Sequence, residues 1–296
     1  MFSEEIAVEG IENEIYTLVN NIEIRPDCSV IISRCNASDF LDNSKPVLVN
    51  LVEKYYEVVV SSGDYTGYSS DISLIEFYSR LKDDSIEPIA ILGGINTKQT
   101  QYIDSDSNIV DLDSSYKAGE ALIEHKNNIE IMGFAVFKND KLVGELNGIE
   151  TISHLLVTGK LSDCVINIPD PFNEDSLISL SLNQPKQPKA EVRMINNSPY
   201  ISVKVYLDAN ILSLNNNSDY SNDENLDIIS SYADSYLETH IIRYLYKTST
   251  LFHTDIAGLG RKTLHQYIDI NSWKNINWLE NYRNSVFDVT TAILYL

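Results

Sequence analysis

The stretch from residue 129 to residue 182 constrains the fold of this chain more than any other segment. It opens with two short apolar runs, residues 131–137 and 141–146, separated by the polar step Asn139-Asp140. Short runs rich in β-branched and aromatic residues, interrupted by Asn and Asp, are typical of strands joined by a tight turn. The segment therefore predicts a β-hairpin.

A helix and a rigid corner are predicted to follow the hairpin. Asn147 or Gly148 can cap the start of the helix, and Gly159 is expected to end it. An extended run then reaches Pro169-Asp170-Pro171, where the two prolines fix φ and keep the aspartate out of helical geometry. Two interpretations of this corner stay open: a structural turn between subdomains, or an exposed corner on which a partner subunit docks.

Alternating residues later in the chain predict a strand with one buried and one solvated face. Residues 201–211 alternate between apolar and polar side chains with a period of two, as expected for a half-buried antiparallel strand. Residues 191–195 are its expected partner. Helices at 224–248, 257–269 and 271–282 and a final strand at 286–296 are predicted to follow. Helices packed on a mainly antiparallel sheet make this part α+β.

The N-terminal part predicts an α/β domain. Apolar residues recur at helical spacing in segments 3–20 and 71–82. Short apolar runs at 29–33 and 88–95, rich in β-branched residues, predict buried strands between and after these helices. Helices that alternate with short buried strands are typical of α/β architecture.

The predicted domains are 1–124 and 125–296, with a subdomain break expected near residue 184. A chain of 296 residues has room for two domains. The sequence between residues 96 and 128 is polar and has no regular spacing of apolar residues. The hairpin begins just after it, which places the boundary near residue 124. The whole chain is therefore expected to be α+β, with an N-terminal α/β domain followed by a mainly antiparallel sheet with packed helices.

The charge balance excludes one class of partner. The chain carries 22 Lys and Arg against 43 Asp and Glu, a formal net charge of -21. Nucleic-acid binding depends on basic side chains that neutralise phosphates, so we expect no nucleic-acid partner. Anionic lipid headgroups are expected to repel the body of the protein for the same reason.

No motif in the sequence indicates catalysis, a cofactor or a bound metal. The five histidines lack HExxH spacing, and His154 is expected to be a surface or hydrogen-bonded helix residue. The cysteines Cys28, Cys35 and Cys164 match no metal-binding spacing. The chain is therefore interpreted as non-enzymatic and without cofactor.

Two further motifs each allow two interpretations. Gly258-x-Gly260 stands at a predicted helix start, where backbone N–H groups could hold an anion. The alternative is close packing of this backbone against a neighbouring helix. The aromatic residues Trp273, Trp278 and Tyr282 could face the core or form a partner-binding cluster, for which Trp and Tyr are favoured.

Several short sequence motifs occur in a fixed order along the chain. They are GFAVFKNDKLVGELNG, TGKL and IPDP between residues 133 and 171, and LYKT, DIAGLG and W-x4-W-x3-Y between residues 245 and 282. Because these motifs occur in this order, the chain resembles the Ger(x)C family, the C-subunit lipoproteins of bacterial spore germinant receptors. The motifs span most of the predicted C-terminal domain, whereas the N-terminal third matches the family loosely.

The resemblance implies a non-enzymatic receptor subunit that acts in spore germination. Family members work with two membrane subunits, A and B, on the outer face of the spore inner membrane, to which an N-terminal lipid tethers them. The first residues here are acidic and form no signal peptide. Relative to the family, the chain is expected to begin inside the N-terminal domain, and lipid tethering is expected of the full-length protein.

Contact with the membrane subunits is expected in two regions. The first is residues 147–171, with Lys160 and Asp170 as candidate contacts, and the second is the loop that carries Asp255 and Arg261. Two alternatives are a soluble module that binds an amino acid or sugar germinant between its domains, and an enzyme that acts on cell-wall or storage material. The enzyme would need two carboxylates with separated pKa values across a cleft.

Overall fold

A computed structural model describes residues 1–44, 52–96, 115–121, 128–196, 198–214 and 222–295 of the chain. The strands are β1 (Phe2–Ser3), β2 (Ile31–Ser33), β3 (Ile89–Ile95), β4 (Ile129–Lys138), β5 (Lys141–Leu146), β6 (Asp163–Asp170), β7 (Asn173–Asn183), β8 (Lys189–Ile195), β9 (Ser198–Leu214) and β10 (Val286–Tyr295). The α-helices are α1 (Glu4–Glu9), α2 (Glu12–Asn20), α3 (Ala37–Asn43), α4 (Val52–Ser61), α5 (Gly63–Thr66), α6 (Leu74–Leu81), α7 (Gly148–Thr158), α8 (Asp223–Tyr246), α9 (Ile270–Lys274) and α10 (Trp278–Tyr282).

These elements form two sheets with helices packed on them, so the predicted α+β class is confirmed. A π-helical segment (Lys247–Phe252) continues α8, and a 3₁₀ helix (Leu259–Gln266) precedes α9. No helix within the described ranges is both long enough and apolar enough to cross a membrane.

The first sheet joins the N-terminal strands to the hairpin. Its order is β1-β2-β3-β4-β5, in which β1, β2 and β3 are parallel and β4 and β5 are antiparallel to their neighbours. The predicted hairpin is confirmed, and Asn139 in its turn takes a left-handed conformation, with φ of 54°, which Asn tolerates better than most residues. Strand β4 pairs with β3, so that Phe134 lies opposite Ile91.

This pairing adds the hairpin to the sheet of the N-terminal strands. The hairpin lies within the predicted C-terminal domain by its place in the sequence, and it completes the first sheet, whose last strand ends at Leu146. Alternating side chains show that a strand has an apolar face and do not show which strand it pairs with. The boundary predicted near residue 124 falls within residues 122–127, outside the described residues, and it stays a prediction. Residue 184 lies between β7 and β8, which both belong to the second sheet.

The second sheet is built around β9. This strand of 17 residues pairs antiparallel with β8 over its first part and with β7 over its last part. It also pairs parallel with β10, and β6 extends the sheet beyond β7. The predicted pairing of residues 191–195 is confirmed, since Val192 lies opposite Ile201. Alternate residues of β9 from Ile201 to Ala209 are buried, as a period of two predicts.

Two predicted helices are each broken in two. Gly10, with φ of 120°, separates α1 from α2 within the predicted 3–20 helix, because glycine alone adopts this backbone conformation at low cost. Asn277, with φ of 49°, separates α9 from α10 within the predicted 271–282 helix. Periodicity of apolar residues continues across both breaks, so it could not reveal them.

Helix α7 lies in the middle of the main core, where it contacts β4, β9 and α8. All of its residues from Gly148 to Val157 except Glu150 are buried. His154 on this helix is a hydrogen-bonded helix histidine, as expected, because its Nδ1 shares a 2.7 Å hydrogen bond with the Tyr244 hydroxyl. The core that surrounds α7 includes residues of both sheets.

Asn147 caps this buried helix through a reciprocal pair of hydrogen bonds. Its Oδ1 accepts from the Glu150 N–H over 3.0 Å, and the Glu150 carboxylate accepts from the Asn147 N–H over 2.9 Å. Gly159 ends the helix with φ of 70°, the left-handed conformation that glycine supplies. Both predicted ends of α7 are therefore confirmed.

Replacing Asn147 with Ala should lower the free energy of unfolding by about 1 kcal/mol, because the Glu150 N–H at the start of α7 loses its acceptor. Unfolding in urea, followed by circular dichroism, measures the change. Asn147→Asp keeps an oxygen acceptor and is the matched control. Equal destabilisation by both variants would contradict a capping role for this side chain.

Candidate functional site

A short segment after α8 connects the C-terminal elements to the first half of the chain. The Glu87 N–H donates to the Asp255 carbonyl oxygen over 2.9 Å, and Arg80 Nη1 donates to the Ile256 carbonyl oxygen over 3.1 Å. His253 and Gly258 flank these residues, and both have positive φ, 56° and 71°. The chain therefore turns sharply on each side of the contact. We refer to residues 253–260 as the docking segment.

The Asp255 side chain organises the docking segment from inside. Its Oδ1 accepts from the Gly258 N–H, and its Oδ2 accepts from the Gly260 N–H and from Trp278 Nε1, each over 2.8 Å. The residue is fully buried. Burial raises the pKa of the Asp255 carboxyl, while the bonds from Gly260 and Trp278 favour the ionised form.

This arrangement decides between the two interpretations of Gly258-x-Gly260. The N–H groups that could hold an external anion bind the chain's own Asp255 carboxylate instead. A side chain at Gly260 would collide with Trp278 and with the Ser85 carbonyl oxygen. The motif is therefore a close-packed backbone, and no external anion site is formed by these groups.

Two of the predicted contact residues are not exposed. Asp255 is inside the docking segment. Asp170 is 3% exposed, and its carboxylate accepts from the Phe172 N–H over 2.8 Å and from the Ser176 hydroxyl over 2.9 Å. The Pro169-Asp170-Pro171 corner is thus a structural turn between β6 and β7. Its aspartate is held by the turn and does not present its side chain to a partner.

The other two predicted residues, Lys160 and Arg261, are partly exposed and pair with carboxylates of the first half of the chain. Lys160 Nζ lies 3.0 Å from Glu76 Oε1, and Arg80 Nη2 lies 2.9 Å from the same oxygen. Since Arg80 also holds the Ile256 carbonyl, Lys160 is connected to the docking segment through two side chains. Arg261 follows this segment directly and pairs with Asp83 over 2.7 Å.

A groove of about 380 Å³ runs beside the docking segment. One wall comes from residues 79–85 and the other from residues within 261–274. Two ion pairs join the walls: Arg261 with Asp83, and Lys274 with Asp84, each with an N···O distance of 2.7 Å. Burial opposes ionisation of Asp83, but hydrogen bonds from Ser85 and Arg261 lower the pKa of its carboxyl. The groove therefore presents paired charges of both signs.

The aromatic residues predicted as either core or partner cluster are core residues. Trp273, Trp278 and Tyr282 are 3%, 2% and 0% exposed. Trp278 Nε1 binds Asp255, and Trp273 Nε1 donates to the Thr263 hydroxyl over 2.6 Å. All three rings are therefore packed in the core, where Trp278 binds the docking segment and Trp273 forms part of the wall of the groove.

Sequence reasoning missed the two buried charges that anchor the docking segment, Arg80 and Glu87. Arg80 lies three residues after the buried Phe77 on α6 and is 6% exposed, so the spacing of the buried stripe could have indicated it. Glu87 directly precedes Pro88 and is 4% exposed. No local pattern marks a single Glu in a connecting segment as buried.

Two family profiles match the chain. The sequence profile described as "Spore germination B3/ GerAC like, C-terminal" matches residues 132–293, and the profile "Spore germination protein N-terminal domain" matches residues 1–93. This chain belongs to the Ger(x)C family. The predicted resemblance to germinant-receptor C subunits is therefore confirmed, and it extends to the N-terminal third.

A solved structure supports the fold of this Ger(x)C protein. The crystal structure of the GerBC protein superposes with a TM-score of 0.58 at 15% sequence identity. The match covers 100% of this chain and 78% of GerBC. No curated protein sequence matches the chain. At this identity the comparison with GerBC establishes the shared fold alone.

Glu87, whose backbone N–H binds the docking segment, carries a buried carboxyl. Its carboxylate accepts from the Asn139 N–H in the hairpin turn over 2.7 Å. Burial raises its pKa from 4.5 to about 7, against the Asn139 bond and the charge of Lys138, and the nearby Asp255 charge raises it further. Between these two pH values the folded chain binds more protons than the unfolded chain. Stability should therefore fall as pH rises from about 4.5 through about 7.

Replacing Glu87 with Gln should remove most of this pH dependence in the Ger(x)C protein. At pH above about 8 the variant should be more stable than the wild type by about 3 kcal/mol, because the wild type must keep an ionised carboxylate buried. Gln retains an oxygen that can accept from Asn139. Urea unfolding across this pH range measures the effect, and Glu9→Gln on the exposed face of α1 controls for the loss of one charge. Parallel pH profiles for wild type and Glu87→Gln would show that Glu87 is not the titrating group.

Proposed function

We propose that this Ger(x)C protein is a non-enzymatic subunit of a nutrient germinant receptor and acts in spore germination at the spore inner membrane. The observation that carries the proposal is that the two family profiles together match residues 1–93 and 132–293. In this proposal its partners are the membrane subunits A and B. An N-terminal lipid of the full-length protein holds it on the outer face of the membrane.

The contact surface with the membrane subunits is proposed to include Lys160 and Arg261. Their side chains are 40% and 51% exposed, and both pair with carboxylates of the first half of the chain. Exposed charges on the rim of an interface steer association and select partners. Lys160 pairs with Glu76, which pairs with Arg80, and Arg80 binds the docking segment. A partner that contacts Lys160 would therefore also affect the hydrogen bonds that join the two halves of the chain.

Reversing the charge of Lys160 or Arg261 to Glu should weaken assembly. Like charges brought together at an interface cost several kcal/mol, so recovery of the complex should fall by about tenfold or more. The full-length protein is co-expressed with both membrane subunits, and the complex is quantified after purification in detergent. Lys262→Glu, at the exposed neighbour of Arg261, is the matched control.

The test separates folding from binding. Thermal unfolding of each isolated variant should stay close to that of the wild type, because both ion pairs are partly exposed and contribute about 1 kcal/mol or less. Full recovery of the complex with both folded variants would remove Lys160 and Arg261 from the contact surface. Failure of the wild-type protein to co-purify would overturn the proposed receptor role itself.

A second candidate function is binding of a small amphoteric germinant in the groove. The observation in its favour is the pair of facing ion pairs, Arg261 with Asp83 and Lys274 with Asp84, beside apolar Leu264 and Trp273. A free amino acid carries one charge of each sign and could exchange with one of these pairs. The cell-wall enzyme has no comparable support, because neither Glu87 nor Asp255, the buried carboxyls with a raised pKa, lines this groove.

Isothermal calorimetry with free amino acids tests the germinant-binding candidate. If the groove binds one of them, Arg261→Gln together with Lys274→Gln should weaken binding by about tenfold or more, because the ligand carboxylate loses its cations. Lys138→Gln and Lys262→Gln, which lie outside the lining of the groove, form the matched control. Heat release that is equal in both double variants would place the ligand elsewhere.

A further inference from the structure

The solvated face of the second sheet carries a concentration of positive charge. On β9 the odd-numbered residues from Ile201 to Ala209 are buried. The even-numbered residues from Ser202 to Asn210 therefore point away from the core. Tyr206 lies on this outer face, and its ring is half-buried. Tyr206 is the centre of a group of lysine side chains.

Three lysine side chains surround the Tyr206 ring. The Nζ atoms of Lys186, Lys189 and Lys204 lie 5.7, 5.9 and 5.5 Å from the ring centroid. These distances are within the range of cation–π interaction. All three lysines are exposed. We call these four residues the lysine cluster.

The lysine cluster is electrostatically unfavourable within the chain itself. Lys189 on β8 lies directly opposite Lys204 on β9, and like charges opposite each other destabilise a sheet. Among the described residues, no carboxylate lies within ion-pair distance of the three lysines. Of the acidic residues on this face, Glu191 pairs with Arg193.

Two glutamine side chains and the pairing of β8 with β9 fix the backbone that carries the three lysines. Gln184 Nε2 donates to the Leu156 carbonyl oxygen over 2.9 Å, and Gln187 Nε2 donates to the Gly159 carbonyl oxygen over 3.0 Å. These bonds fix the β7–β8 connection, which carries Lys186, on the end of helix α7. Lys189 and Lys204 stand on paired strands. The backbone positions of the three lysines are therefore fixed in the folded chain.

We propose that the lysine cluster is a contact surface for an anionic lipid bilayer. Three uncompensated ammonium groups on the broad face of a sheet complement a layer of negative headgroups, and each lysine near such a surface contributes about 1 kcal/mol. Tyr is suited to the boundary between headgroups and water because it has an apolar ring and a polar tip. Lysine is depleted at protein–protein interfaces, which favours lipid over an acidic protein as the occupant.

This surface is a local exception to the repulsion that the net charge predicts. Acidic residues elsewhere are screened from a contacting membrane over a Debye length of about 10 Å at 0.1 M salt. Asp208 and Asp288 lie on the same face, flanking the cluster, and will weaken the attraction. Binding should accordingly be modest and strongly dependent on salt. The proposal does not depend on assembly with receptor subunits.

Flotation with lipid vesicles tests the proposal on the chain itself. Vesicles made of roughly equal parts phosphatidylglycerol and phosphatidylcholine should bind the protein at low ionic strength, and pure phosphatidylcholine vesicles should not. Lys186→Gln with Lys189→Gln and Lys204→Gln should reduce the partition coefficient by on the order of a hundredfold, the loss expected for three lysines. The matched control replaces Lys138, Lys141 and Lys262 with Gln, which changes the net charge equally.

The outcomes are distinct. Binding that the cluster variant loses and the control retains supports the proposal, provided that both variants unfold cooperatively like the wild type. Equal binding by both variants, or equal binding to neutral vesicles, overturns it. So does a wild-type protein that ignores anionic vesicles but binds poly-glutamate through the same lysines, since the occupant would then be an acidic polypeptide.

Discussion

The buried carboxylate of Asp255 is the interaction on which the arrangement of the two halves depends. A buried charge is costly unless hydrogen bonds replace the water that it loses. Its partners, two backbone N–H groups and the Trp278 indole, can reach it only if the docking segment turns at Gly258 and α10 lies where it does. The carboxylate thus fixes both the segment and the helix. The main-chain oxygens of Asp255 and Ile256 are then presented to Glu87 and Arg80.

A chain of contacts carries this constraint from the interior to the surface. Burial lowers the pKa of Arg80, while its pairing with Glu76 favours the charged form, and Glu76 in turn holds the exposed Lys160. Arg261, which follows the docking segment in sequence, pairs with Asp83 at the groove. A partner that alters either exposed pair acts on residues that are one or two contacts from the core of the molecule. Contact at these pairs and the fit between the halves are therefore physically linked.

Local signals in the sequence predicted the elements, and pairing between distant residues could not be predicted. The hairpin, the cap at Asn147 and the end of α7 at Gly159 are each set by a few neighbouring residues, so they were predictable. That β4 pairs with β3 depends on residues some forty positions apart. The burial of Asp170 and Asp255 was hidden for the same reason, since an aspartate between prolines, or shortly before a glycine, is usual in exposed turns. Only the fold shows that their acceptor capacity is filled from within.

The net charge of the chain does not reveal which individual charged side chains are available to a partner. A net charge of -21 predicts repulsion from any anionic surface, but the register of β8 and β9 places Lys189 opposite Lys204, and the β7–β8 connection adds Lys186. The buried charges of Arg80 and Asp255 are satisfied by the chain itself, because a buried charge without partners is strongly destabilising. A surface charge can stay unpaired at little cost because water solvates it. Residues available to a partner are therefore found among the unpaired or weakly paired surface charges, and the buried carboxylates serve the fold.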